Sequence, residues 1–296
     1  MKLNAHGQPA YESVSLKFNK DKALLALRGM LEGMNADRRL NPLEVTFLDN
    51  WLKTDVKYID DGDILDLRDL VAEVLADGEV TVEELAELKA LITDVLDYGE
   101  GTASEIDGLT NQLLGFLKGI TADSIVNRQE VMALKALLEE NSELIERWPG
   151  DLINKRLTDI LADDIITDEE ARDLYDMLAK IGAQTFQETG LATGMATQYL
   201  SDDPDEIDLK GCLVCFTGQF PSGSRSKQER IAAELGATPQ KTVTQKTDCL
   251  VLGTMASRDW KFSSYGRKIQ SVLENRKKGS NTLIISEQCW CRIAGY

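Results

Sequence analysis

Histidine is almost missing from this chain: among 296 residues there is one, His6. It falls in a stretch that we expect to be a short, poorly ordered N-terminal arm, residues 1–21. Ser-His-Asp and Cys-His nucleophiles and histidine-ligated metal centres are thereby excluded, save for a role of His6 itself. Also missing are a P-loop and the Lys-x-Asp-Gly of nucleotidyl-transfer ligases. The expectation is a protein that is not an enzyme, with no cofactor and no metal. The five cysteines all follow residue 211. Their odd number and clustering argue against a disulfide framework and for a reducing cytosol, hence a cytoplasmic protein. No apolar run approaches the ~20 residues of a membrane span, and the first residues lack the apolar core of a signal peptide.

Positive charge is scarce overall but not evenly so. The formal net charge is −17, yet residues 209–296 carry 14 Lys+Arg against 6 Asp+Glu, while residues 1–208 carry a balance of −25. Whole-chain acidity would wrongly dismiss a polyanion partner for the basic end.

What the acidic part has is repetition. Four segments, beginning at Ala36, Ala76, Ala122 and Ala162, read Ala-Asp, two variable residues, one aliphatic, Asn or Thr, two variable residues, Glu. The Asn/Thr and the Glu three later form a capping box, and Pro42 stands where a helix accepts proline. Each signature is therefore a tight turn between two helices. The first and third are 86 residues apart, as are the second and fourth, and Gly29 and Gly33 recur as Gly115 and Gly119. We expect one helical body over residues 22–182, duplicated at about 22–108 and 109–182. Leu85, Leu88, Leu91 and Val95 would line one core face, and Val131, Leu134 and Leu138 another. Asp77, Glu79 and Glu84 make the second turn acidic. Asp77 does not start an EF-hand, because position 12 would be Leu88; the plainer reading is capping and a solvated acidic turn.

The Ala-Asp-Gly-Glu-x-Thr-x-x-Glu turn resembles the TerB-like helical domains of tellurite-resistance and DjlA-type proteins, over roughly residues 22–182. The resemblance implies an all-α fold and a link between the acidic turn and divalent metal. The other three turns lack an acid at the Glu79 position. Residues 183–207, rich in small residues and then in acids around Pro204, read as a linker whose acidic end could lie on the basic domain.

Beyond it, β and α segments alternate: strand Cys212–Phe216, helix from about Arg225 to Leu235, a short strand near Thr238, strand Cys249–Leu252, helix from about Ser264 to Arg276, strand Thr282–Ile285 and helix Glu287–Ile293. Alternation implies a parallel sheet with helices on both faces. Thr217 and Gly218 end the first strand, where open parallel sheets place ligands. Hydroxyl, free amide and the Lys268 ammonium at a helix start make a phosphate site; the plainer reading leaves Thr217 as a turn cap and Lys268 as a solvated lysine. Cys212-x-x-Cys215 with Cys289-x-Cys291 could be written as four zinc ligands, but an offset of three on a strand turns the first pair to opposite faces. Buried thiols fit better, and Trp290 reads as core.

The ordered anchors Phe216-Thr217-Gly218, Arg225, Leu235-Gly236-Ala237, Val243 with Lys246-Thr247-Asp248, Gly266-x-Lys268, Ile284-x-Ser286-Glu287 and Trp290 resemble a BRCT domain over residues 208–296. They are close in pattern to the single BRCT domain that ends bacterial NAD-dependent DNA ligases. The resemblance implies phosphate binding by Thr217, Gly218 and Lys268 and DNA contact by Arg225, to which Lys227, Lys246 and Arg267 are added as basic neighbours. The expected fold is thus an all-α tandem repeat followed by an α/β domain. The expected role is a DNA-repair type adaptor: its basic domain holds phosphate on DNA ends, nicks or branched forms, and its acidic helices dock a protein partner. A DNA-like acidic surface, a phosphoprotein ligand, a plain interaction or oligomerisation module and a homodimer are the alternatives; no membrane partner is expected.

Overall fold

The computed structural model describes residues 16–56, 61–98, 106–183, 199–255, 262 and 265–295. Residues 1–15 of the expected N-terminal arm and most of the expected linker lie outside the described residues, whereas residues 16–21 of that arm are helical rather than poorly ordered. Chain contacts divide the molecule into two compact units, one of Lys20–Thr193 and one that contains Gly194–Tyr296 together with the residues up to Asn19. No helix among the described residues is long and apolar enough to cross a membrane.

The first unit is all-α. Helices α1 (Leu16–Met34), α2 (Pro42–Thr54), α3 (Gly62–Val74) and α4 (Val82–Tyr98) are followed by α5 (Ile106–Ile120), α6 (Arg128–Glu140), α7 (Gly150–Ile160) and α8 (Asp168–Gly182). A 3-10 turn at Ser142–Glu146 precedes α7. The repeated turn is built from its own side chains. Asn41, Asn127 and Thr167 cap α2, α6 and α8 in reciprocal boxes with Glu44, Glu130 and Glu170; Thr81 and Glu84 do the same before α4. Each motif aspartate, Asp37, Asp77, Asp123 or Asp163, accepts the N–H two residues on. The residue between them is left-handed in all four turns: Arg38, Gly78, Ser124 and Asp164. Asp77 and Glu84 are thus engaged by their own backbone.

The two repeats meet where α1 crosses α5. A Cβ on Gly29 would stand 1.9 Å from the Gln112 carbonyl oxygen, and one on Gly115 2.0 Å from that of Ala26. Gly33 and Gly119 would meet the Phe116 and Met30 carbonyls at 2.6 Å and 2.3 Å. Backbone touches backbone, so only glycine fits. Around the crossing, Leu27, Met30, Leu31, Phe47, Leu48 and Leu88 are buried in the first repeat, with Leu85, Leu91 and Val95 packed against them. Val131, Leu134 and Leu138 are buried in the second.

In the second unit, strands β1 (Leu213–Thr217), β2 (Thr238–Gln240), β3 (Cys249–Leu252) and β4 (Leu283–Ser286) form an all-parallel sheet in the order β2-β1-β3-β4. Helices α9 (Arg225–Glu234), α10 (Arg267–Lys277) and α11 (Glu287–Ala294) follow β1, β3 and β4. The β1→β2 and β3→β4 connections run to opposite sides of the sheet, so right-handed crossovers put α9 and α10 on opposite faces. The face of Phe216, Val251 and Ile285 packs with Ala232 of α9 and Cys289 and Trp290 of α11. Trp290 meets Phe216 edge-on at 5.2 Å and donates its indole N–H to Gln228 Oε1 at 2.8 Å. The five thiols are free. Cys212 Sγ lies on the Asp208 carbonyl and Cys215 Sγ on that of Thr242. Among the described residues no group of three or more His, Cys, Asp or Glu could hold a metal ion.

One boundary moves by more than a residue. Helix α10 starts at Arg267, not Ser264, because Gly266 is extended and forms the N-cap, while Tyr265 stacks on Phe262 at 4.3 Å. Ser264 itself lies outside the described residues. The acidic stretch before the domain does lie on it. The Asp202 carboxylate accepts the Ile284 N–H (2.7 Å) and pairs with Arg276; Asp203 accepts the Ser286 N–H (2.7 Å), and Pro204 O accepts from Arg292 (2.7 Å).

Candidate functional site

The connections from β1 and β3, neighbours in the sheet, leave in opposite directions at their C-terminal ends. This is the switch point where an open α/β sheet makes a crevice. Thr217 ends β1 there and is buried. Gly218 follows at φ +91°, where a Cβ would lie 3.0 Å from the Met255 carbonyl oxygen and 3.1 Å from that of Gly253. The turn must be glycine because the post-β1 and post-β3 loops zip together: the Gln219 N–H donates to Met255 O at 2.8 Å, and the Met255 N–H returns to Gln219 O at 3.2 Å. No described residue hydrogen-bonds the Thr217 hydroxyl or accepts from the Gly218 N–H.

Both flanking helices begin at this end. Ser224 caps α9 by accepting from the Lys227 N–H, whereas Gly266 offers α10 no side-chain cap. The first N–H groups of α10 remain for an anion. Lys268, in its first turn, reaches back and donates to the Phe216 carbonyl oxygen at 2.8 Å. Its ammonium sits one residue from Thr217, and burial, then the neighbouring Arg225 guanidinium, pushes its pKa below the ordinary lysine value. Arg225, first in α9, is likewise lowered by burial, and its Nε is buried with no hydrogen-bond partner. Glu229 is the acid that acts on both cations. Two partly buried cations, a hydroxyl and an amide at one strand end are groups that could together cradle an oxyanion.

Glu287 holds the cradle from behind. Its Oε1 accepts from the Ser222 N–H (2.9 Å) and hydroxyl, and its Oε2 from the Thr254 N–H and hydroxyl, both at 2.7 Å. One buried carboxylate at the start of α11 thus ties the loops after β1 and β3.

The basic residues proposed for DNA do not all converge. Arg225 is inside the crevice. Arg267 is exposed at the start of α10, on the same end of the sheet. Lys227 is also exposed in the first turn of α9, with its ammonium on the Ser222 carbonyl at 2.9 Å. Lys246 lies elsewhere. Its loop leads into the N-terminal end of β3 and meets the turn before β4 through Ser280 Oγ and Gln245 O. This is the opposite end of the sheet from Thr217.

Residues 204–277 match the family model of the BRCA1 C Terminus (BRCT) domain. The parallel four-stranded sheet and its flanking helices agree, so the C-terminal unit is a BRCT domain, a class that typically binds proteins or phosphate groups. No curated protein and no solved structure matches the chain. Sequence reasoning kept Arg225 apart from the Lys268 pocket and gave Glu287 no role. The signal was present: Arg225 opens the helix that leaves the Thr-Gly turn, and Lys268 opens the helix after β3.

Proposed function

We propose that the chain is a non-enzymatic adaptor of the DNA-repair type. Its BRCT domain holds a phosphate on DNA, at an end, a nick or a branch, while the acidic helical unit, which we read as TerB-like, docks a protein partner in the cytoplasm. The observation that carries the first half is Lys268, partly buried on the Phe216 carbonyl and acted on by the Arg225 guanidinium, at the strand end that also offers Thr217 Oγ1 and the Gly218 N–H. Burying like charges together is unfavourable until an anion arrives. The +8 balance of residues 209–296 suits a polyanion, and an acidic helical surface suits a partner with a basic face.

The test is titration of the full-length protein against nicked, 5′-phosphorylated and intact duplexes, with a phosphoserine peptide in parallel. Lys268→Met should weaken the phosphorylated duplexes by about ten- to a hundredfold, roughly 1.5–3 kcal/mol. Thr217→Val, which removes a neutral donor, should cost less. Preference for the peptide would turn the reading to a phosphoprotein adaptor. A folded Lys268→Met that binds every phosphorylated ligand as well as wild type would leave a plain protein-interaction module.

A further inference from the structure

The junction between the helical repeats brings four carboxyl groups together. Asp37, Asn41 and Glu44 come from the α1–α2 turn and the start of α2; Asp123, Asn127 and Glu130 are their counterparts before and in α6. They meet reciprocally: Asn41 Nδ2 donates to Asp123 Oδ2 at 2.9 Å, and Asn127 Nδ2 to Asp37 Oδ2 at 3.1 Å. The other aspartate oxygens accept their own turn N–H groups, of Arg39 and Ile125. Glu44 and Glu130 each place Oε2 on their cap N–H, at 2.8 Å and 2.7 Å. Both side chains are buried, each residue 3% exposed.

Among the described residues, no cation acts on either glutamate. The charges acting on Glu44 are those of Asp123, Glu130 and Asp37, and those on Glu130 are Asp123 and Asp37, all acidic. The nearest basic residues are turned to other tasks. Arg128, at the start of α6, donates to the Asp164 carbonyl (2.6 Å), and Lys89 of α4 to that of Arg38 (2.7 Å). On α5, Lys118 is coupled to Asp55. Arg38 and Arg39 stand in the turn without acting on either glutamate.

Four carboxyls converge here, two of them buried, with no basic group among the described residues acting on the buried two. We propose that the two repeats are locked by a proton retained on the Glu44–Glu130 pair, which makes their junction a pH-sensitive hinge that loosens when the proton leaves. The lock is independent of the BRCT reading. Burial, with the neighbouring acids adding to it, pushes Glu44 up to about 9 and Glu130 up to about 8. The sign follows from linkage. Both are raised above the ordinary value of 4.5, so their protonated contribution to stability is complete below that value. It is lost as pH climbs through the folded range. Glutamine at both positions would mimic the protonated state and keep the capping box.

Hydrogen exchange on the full-length protein reads the hinge directly, with amides of α1 and α5 at the glycine crossing reporting the junction and those of β1 and β3 as internal control. After correction for intrinsic exchange, wild-type protection at the crossing should fall more than about tenfold from about pH 6.5 to about pH 9, while the Glu44→Gln/Glu130→Gln variant stays flat. A carbon-detected titration of glutamate carboxyls in the unmodified protein gives an answer that does not depend on the variant folding. At least one carboxyl should titrate with a midpoint above about pH 7. The proposal falls if every glutamate has ionised by about pH 6, or if wild type and variant lose protection in parallel. It also falls if magnesium or calcium at neutral pH displaces the proton and raises protection as acid does, because the neutralising species is then a metal ion.

Discussion

In the helical unit the fold consumes nearly every polar side chain of the repeated motif. Asp77 closes a turn on the Glu79 N–H, Thr81 and Glu84 satisfy each other's backbone, and Asn41 serves both its own cap and Asp123 across the junction. In the BRCT domain the residues at the end of β1 are left with donors to spare. Thr217 has no partner for its hydroxyl among the described residues, Gly218 none for its N–H, and Arg225 none for its Nε. Residues of similar polarity therefore mean different things. A repeated, locally satisfied motif is scaffold. Unsatisfied donors gathered at a switch point are what a ligand site would need, and they are why the phosphate reading is proposed for this end of the sheet.

The largest effect that would sharpen this contrast is structural. Gly115→Leu forces a side chain into the Ala26 carbonyl and should destabilise the helical unit by about 3 kcal/mol, seen by urea unfolding followed by circular dichroism, while the C-terminal transition stays in place. A neutral result would mean that the repeats are not held by close backbone contact. Next is the cradle. Arg225→Ala should cost about 1.5–3 kcal/mol of binding to a 5′-phosphorylated duplex, as much as Lys268→Met, whereas Lys246→Ala should cost less than about 1 kcal/mol. Equal losses at Arg225 and Lys246 would dissolve the distinction between pocket and basic surface. The smallest effect is long-range. Binding should weaken with salt at a log–log slope near −3 to −4, as for about three or four phosphate contacts, and residues 199–296 alone should bind a few-fold more tightly than the whole chain. Tighter binding by the whole chain would give the acidic unit a cooperative role.

How much was legible follows from the range of each interaction. The turns were readable because capping is local: Asn41 and Glu44, or Thr167 and Glu170, find each other within one helical turn. The left-handed residue was not, since of the four only Gly78 advertises it and Arg38, Ser124 and Asp164 do not. The burial of Glu44 and Glu130 depends on a counterpart 86 positions away, and nothing in a capping box says which of its copies will face the other repeat. Strand β1 and its Thr-Gly ending were plain from an apolar run cut short. The convergence of Arg225 with Lys268 needed the crossover geometry. That Lys246 lies away from Thr217 was not legible, because a basic residue in a loop carries no sign of which end of the sheet that loop reaches.

The aspartates ahead of β1 have a consequence for handling this domain. Strand β4 lies at one side of the sheet, and its Ile284 and Ser286 N–H groups are occupied by Asp202 and Asp203 rather than by another strand. Residues 204–277 carry the family match, yet a fragment begun at 204 or 208 would strip those carboxylates and present a bare strand margin to its neighbours in solution. Such margins recruit other chains. A fragment begun at Tyr199 keeps the margin closed, so self-association of the shorter version would report a missing cover and not a native dimer.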